Sequence, residues 1–196
     1  PLTPIQLTID RLRNKYSTQL NQDNSKNFKE NLKIINYQIK QIEKLVNEFS
    51  DFARMPKPIF RQNNIIDIMK DNIKLLNELD NSIEINFIKN TDQISLKSDK
   101  EQISRVFLNL IKNSIESINQ RSQNDSNFNK KITIEVNEDN SHINVIIKDN
   151  GVGFSNFKES IKNILNPYFT TKKNGTGLGL SIVNKIVNDH NGNIEF

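Results

Sequence analysis

All six glycines of this chain, Gly151, Gly153, Gly175, Gly177, Gly179 and Gly192, lie in its last quarter, and five fall into two tight clusters. The clusters read Asp149-Asn150-Gly151-Val152-Gly153-Phe154 and Gly175-Thr176-Gly177-Leu178-Gly179-Leu180. Glycine is entropically costly in a folded chain and is kept where the backbone takes a positive φ or lets another group come close. Any fold of this sequence therefore has to accommodate two glycine turns late in the chain. The paired turns point to a ligand that packs against main chain; for either cluster alone, a turn without a ligand is the alternative.

The second cluster runs into an apolar helical pattern, Leu180, Val183, Ile186 and Val187. Its glycines thus sit at a helix N-terminus, where free N–H groups and the helix dipole favour an anion, usually phosphate. The first cluster follows a strand-like run from His142 to Lys148, which delivers the Asp149 carboxylate to the strand's end. Buried beside a close-approach glycine, that carboxylate can accept a hydrogen bond from a ligand amine. Together they predict a nucleotide, base at one end and phosphates at the other. A Rossmann site is disfavoured because Gly175 to Gly179 is not G-x-G-x-x-G, and a P-loop is excluded by the lack of a G-K-S/T ending.

At 196 residues the chain can hold one domain or two small ones. Its 35% hydrophobic content and mean hydropathy of −0.62 are low, but regular apolar periodicity argues for a folded, soluble chain. Cysteine is absent, which removes disulfides and thiolate chemistry and fits a reducing compartment. No apolar run approaches the roughly 20 residues that span a bilayer, and the N-terminus does not have signal-peptide character, so these residues are expected to be cytoplasmic. The net charge of +4 comes from Lys and Arg interleaved with Asp and Glu rather than from a basic stripe, which disfavours nucleic acid as a partner.

Prolines 1 and 4 open a helix with apolar positions Ile5, Ile9, Leu12 and Tyr16. A turn over Asn21 to Ser25 is expected to end it. A longer helix follows, whose apolar residues Phe28, Leu32, Ile35, Ile39, Ile42, Val46, Phe49 and Ala53 alternate four and three apart up to Pro56. Ile34, Leu45 and Phe52 widen this stripe to a bundle face. A two-helix hairpin cannot bury such a face alone, so dimerisation into a four-helix bundle is expected; packing on the downstream domain is the alternative. Met55-Pro56-Lys57-Pro58 reads as a stiff linker, giving domains 1–56 and 57–196.

Beyond the linker the pattern predicts a helix over Ile65 to Leu79 and strands over Ile83 to Ile88 and Ile94 to Leu96. Asp99, three residues before Gln102, has the spacing of a capping box for a helix running to about Ser117. Asn109 and Asn113, four apart, share one face of it, and an amide oxygen suits Mg²⁺ beside phosphates; two exposed asparagines in an Asn-rich chain are the alternative. A polar loop over 119–130 and an antiparallel hairpin, Lys131 to Glu138 with His142 to Lys148, come next. Between the glycine clusters, about twenty residues containing Asn166-Pro167-Tyr168-Phe169-Thr170-Thr171-Lys172-Lys173 have the look of a lid carrying lysines beside the phosphate end.

The order of these pieces resembles sensor histidine kinases, whose catalytic domain is of the gyrase, Hsp90, histidine kinase and MutL type. Asn109-Leu110-Ile111-Lys112-Asn113 looks like the N box, Asp149 to Phe154 the G1 box, Pro167 to Lys172 the F box and Gly175 to Leu180 the G2 box. Pro1-Leu2-Thr3-Pro4-Ile5-Gln6-Leu7 looks like the end of an H-E-I-K-N-P-L motif, and with Phe49 to Pro56 it is most similar to nitrogen-regulation kinases of the NtrY type. The resemblance implies an α+β fold, in which the dimerising helical hairpin precedes a two-layer α/β sandwich with a mixed sheet, the Bergerat-type ATP-binding fold. It further implies that Asp149 binds the adenine amino group and that Gly151 and Gly153 allow the turn beneath the nucleotide. Asn113 would hold Mg²⁺ with Asn109 in support, and Lys112 would lie near the phosphates. Thr171, Lys172, Gly175, Thr176, Gly177 and Gly179 would surround the triphosphate of ATP, with Leu178 and Phe169 packing the lid. Phosphoryl transfer to a histidine, and then to a response-regulator aspartate, would follow.

By that motif the acceptor histidine would lie about five residues before Pro1. The two histidines present, His142 at a strand and His190 at the end of the last helix, are poor substitutes because neither is on the hairpin. The chain also stops where a strand is expected, so the fold's final elements are expected beyond Phe196, and the parent protein is compatible with an inner-membrane anchor. Two rivals remain: an ATPase of the chaperone or DNA-repair kind, which would carry a glutamate base where this chain has Asn109, and a nucleotide-sensing dimer scaffold without kinase activity.

Overall fold

The computed structural model describes residues 2–16, 22–79, 81–123, 125, 127–139, 142–153, 163–172 and 175–196. Asn21, Phe154 and Lys173, and most of the expected lid between the glycine clusters, lie outside them. The chain forms two compact units, one of Pro1–Met55 with Thr171–Thr176, the other of Pro56–Thr170 with Gly177–Phe196. The sequence pattern instead divides the chain once, after residue 56.

The first unit is a pair of helices, α1 (Leu2–Tyr16) and α2 (Gln22–Ala53). Ile9, Leu32 and Ile39 are buried between them with Phe28 packed alongside, and Tyr16 meets Phe28 edge to face. The turn expected through Ser25 is absent, since α2 is already helical at Gln22. Asn, Asp and Ser favour turns and helix starts alike, so composition did not separate the two. Only part of the α2 stripe is covered: Ile34, Ile35, Ile42, Leu45, Val46 and Phe49 stay exposed.

The second unit opens with β1 (Arg61–Asn64), which the sequence pattern does not reveal. It pairs antiparallel with β3 (Ser95–Ser98), placing Asn63 opposite Leu96. Between them lie α3 (Ile65–Leu79) and β2 (Glu84–Lys89). Helix α4 runs Lys100–Ser122, a turn beyond its expected end, because Ile118 is still fully buried; the loop expected from 119 is correspondingly shorter. Strands β4 (Lys131–Glu138) and β5 (Ile143–Asp149) form the expected hairpin, and α5 (Gly179–Asp189) follows the second glycine cluster.

The main sheet has the order β2-β4-β5 and is mixed, β2 parallel and β5 antiparallel to β4. Alternation along β4 turns Ile132, Ile134 and Val136 inward, where they meet Ile66 of α3 and Ile111 and Ile118 of α4, all fully buried. Each such side chain contributes about 1.5–3 kcal/mol over leaving it in water. Helices on one face of a mixed sheet make a two-layer α/β sandwich. Helix α4 packs on α3, α5 and β5, so what it carries is framed by all three.

Candidate nucleotide site

Helix α4 is fixed at its start by Asp99, whose Oδ1 accepts the N–H groups of Glu101 and Gln102. The reciprocal half of a capping box is not made. Gln102 Nε2 donates to Pro56 O at 3.0 Å, and the Asp99 N–H donates to His190 Nε2 at 3.0 Å. Because Nε2 accepts there, Nδ1 carries the proton and donates to Ile186 O at 2.8 Å. The Phe60 ring stands against the same imidazole, 5.1 Å between centroids. His190 is thus a structural pin between the start of α4 and the end of α5, and His142 opens the β4–β5 hairpin strand.

Asn109 and Asn113 are half-buried on α4, and Lys112 between them is exposed. Asn109 Nδ2 donates back to Arg105 O at 2.9 Å, which turns Oδ1 toward the first residue of α5. A Cβ built on Gly179 would stand 3.5 Å from that oxygen. An open groove of about 590 Å³ follows this face of α4, lined by Lys100, Arg105, Asn109 and Lys112 among others, with Glu101 as the opposing charge. Its size is that of small-molecule sites.

Eight residues further along, Ser117 lies under the other glycine cluster. A Cβ on Gly151 would fall 2.2 Å from Ser117 Oγ and 2.6 Å from its backbone, so only glycine fits. The Asp149 carboxylate, expected to be buried, is instead exposed at the end of β5, where it accepts the Gly151 N–H at 2.9 Å. Gly153 takes φ +64° with nothing within 4 Å of where a Cβ would stand. One helix therefore touches both glycine clusters, at points about 12 Å apart along its axis.

Gly177 has φ +69°, and a Cβ there would lie 2.4 Å from the carbonyl carbon of Tyr168. Its own carbonyl accepts the Tyr168 N–H at 3.0 Å. Leu178 is fully buried, and its carbonyl accepts from Ser181 Oγ and Ile182 N, so it anchors the start of α5 by packing. Thr171, Lys172, Gly175 and Thr176 belong to the helical unit. There the Gly175 N–H donates to Lys172 O, and the Thr176 hydroxyl hydrogen-bonds Glu48 of α2.

Among the described residues no group of three His, Asp or Glu side chains could hold a metal by itself. The amides of α4 beside an exposed lysine fit Mg²⁺ of the kind carried in by phosphates, which takes one or two protein oxygens. Sequence reasoning missed Arg121, Ser117 and the Asp99–His190 pin. Arg121 fell in an expected loop, and the others are joined by contacts far apart in sequence.

Residues 98–196 match the family described as histidine kinase-, DNA gyrase B-, and HSP90-like ATPase, half of the chain. The chain belongs to this ATPase family. Across 192 residues, 98% of its length, it is 35% identical to a putative NtrY-like sensor histidine kinase of Rickettsia felis, and it spans 30% of that relative's length. Among solved structures, the family likeness extends to the nucleotide-free catalytic domain of histidine kinase ThkA, with 28% identity and a TM-score of 0.57, over 67% of this chain and 82% of that one. ThkA in complex with the response regulator TrrA covers 96% of this chain and 52% of its own at 23% identity and a TM-score of 0.66, a likeness of fold. Among the described residues no helix is long and apolar enough to cross a membrane.

Proposed function

We propose that this chain is the dimerisation and ATP-binding region of a sensor histidine kinase, with residues 1–56 the hairpin and 57–196 the catalytic domain, on the cytoplasmic side. The observation that carries this is α4 in contact with both glycine clusters, Gly179 beside Asn109 and Gly151 against Ser117. An extended nucleotide along that helix has its base at Asp149 and its phosphates at the N-terminus of α5.

In this reading Asp149 accepts the adenine amino group, and the open side of Gly153 admits the ring. Lys112 faces the phosphates, together with the free N–H groups of α5 that follow Gly177. Asn113, supported by Asn109, would hold Mg²⁺, which spreads the phosphate charge when bound. For Thr171, Lys172, Gly175 and Thr176 a role at the phosphates rests on the motif alone. Phosphoryl transfer needs positioning and charge neutralisation more than covalent chemistry, which suits amides, glycines and lysines. The acceptor is a histidine of the motif that Pro1 to Leu7 continue, and a response-regulator aspartate receives the phosphate next, as the ThkA–TrrA complex supports. The exposed stripe of α2 supports a second copy of the chain as partner.

Titration calorimetry tests the site. The chain should bind Mg-ATP measurably, and Asp149→Asn, which turns an acceptor edge into a mixed one, should weaken binding at least about tenfold with the melting temperature unchanged. A folded chain without affinity, or an Asp149→Asn variant that binds as well, rejects the reading.

A further inference from the structure

The carboxylate at the base end of the proposed site hangs from the last residue of β5, and recognition through it is only as sharp as its backbone is still. The stillness comes from α4. Arg121 Nη1 donates to Asn150 O at 2.8 Å and to Gly151 O at 3.2 Å. Its guanidinium lies 4.9 Å from the centroid of the Phe128 ring, itself packed on the core. From the other side Asn150 is tied to β4, its Oδ1 accepting Lys131 N at 3.0 Å and its Nδ2 donating to Asn129 O at 2.7 Å.

The peptide group between Asn150 and Gly151 is the key part. Its carbonyl oxygen receives Arg121, and its N–H donates to Asp149 Oδ1 at 2.9 Å. A peptide is planar, so fixing the oxygen fixes the direction of the N–H, and a cation on the oxygen strengthens the N–H as a donor. The orientation of the Asp149 carboxylate is thereby set from α4.

We propose that Arg121 is a positioning residue for base recognition, holding Asp149 in the orientation that accepts an exocyclic amine through the Asn150–Gly151 peptide. This rests on the role of Asp149 proposed above. The plainer role is that Arg121, a cation in the last turn of α4, only steadies that helix.

Affinities for Mg-ATP and for the Mg complex of purine riboside triphosphate, which has hydrogen in place of the 6-amino group, separate the two roles. The unmodified chain should prefer ATP by about tenfold or more, the value of one hydrogen bond to a charged acceptor. In Arg121→Ala the preference should fall to about twofold, with the loss on the ATP side and the analogue bound nearly as before. If both affinities fall by one factor and the preference stays, Arg121 is merely structural and the proposal is overturned. If the unmodified chain has no preference, the reading of Asp149 fails and takes this proposal with it. Should Arg121→Ala not fold, Arg121→Gln, whose neutral and shorter amide cannot span both carbonyls, replaces it: a collapsed preference supports the positioning role, and a retained one overturns it.

Discussion

Asp99 ties two segments together with one carboxylate. Beyond the two N–H groups at the start of α4, its Oδ2 accepts the Ile59 N–H at 2.8 Å, which brings in the stretch that follows Pro56. Burial by itself raises its pKa, but the hydrogen bonds from Ile59, Gln102 and Glu101 outweigh burial and hold it below the ordinary 3.8. A carboxyl depressed in the folded state stabilises the fold above its unfolded value, and that stabilisation drains away as the pH falls through 3.8 toward the lower folded value. Asp99→Ala should therefore cost about 1 kcal/mol in urea unfolding at neutral pH. The gap should narrow as the pH is taken below 3.8; a gap that keeps its size in acid contradicts the account. The cap itself was legible, because Asp99 and Gln102 have the spacing of a helix start. That Gln102 would turn to Pro56, and the Asp99 N–H to His190, was not, since partners that far apart are chosen by packing.

Element by element, legibility followed apolar periodicity. Helices α3, α4 and α5 and strand β4 stand where their spacing predicts them, because each buries a face, and β5 follows by pairing with β4. Strand β1 escaped notice because Arg-Gln-Asn-Asn has no strand propensity. It is held by side-chain amides instead: Asn63 Nδ2 donates to Ser98 O at 2.8 Å, and Asn64 Oδ1 accepts Ile94 N at 3.0 Å. Helix α2 presents the opposite case, a regular stripe left half in water. Ile42 and Val46, one turn apart, are 50% and 47% exposed. If a second copy covers them, Ile42→Asp with Val46→Asp should shift the chain from dimer to monomer in sedimentation velocity while its helical circular dichroism is retained. Unchanged association would exclude that face.

For the molecule as a whole, the two units predict separable behaviour. A chain of residues 57–196 should melt in one cooperative transition and bind Mg-ATP within about threefold of the full chain, as expected of a domain with its own core. The ThkA catalytic domain was itself solved as a separate domain, free of nucleotide. A fragment that is unfolded would contradict a core of its own, and one that is folded but blind to nucleotide would contradict a nucleotide site made by residues 57–196 alone. Much of the candidate site was legible because glycine and a pair of amides four apart are local signals. The placement of Thr171 to Thr176 was not, because five polar residues and a glycine carry no periodicity that says what they rest against. The bond from Tyr168 N–H to Gly177 O, with no room at Gly177 for a side chain, pins together the two ends of the span between them. A loop closed at its neck tolerates a change of length cheaply, about 0.6 kcal/mol of closure entropy for each doubling. As far as closure entropy goes, that span can therefore change length at little cost, provided the pinch itself stays as it is.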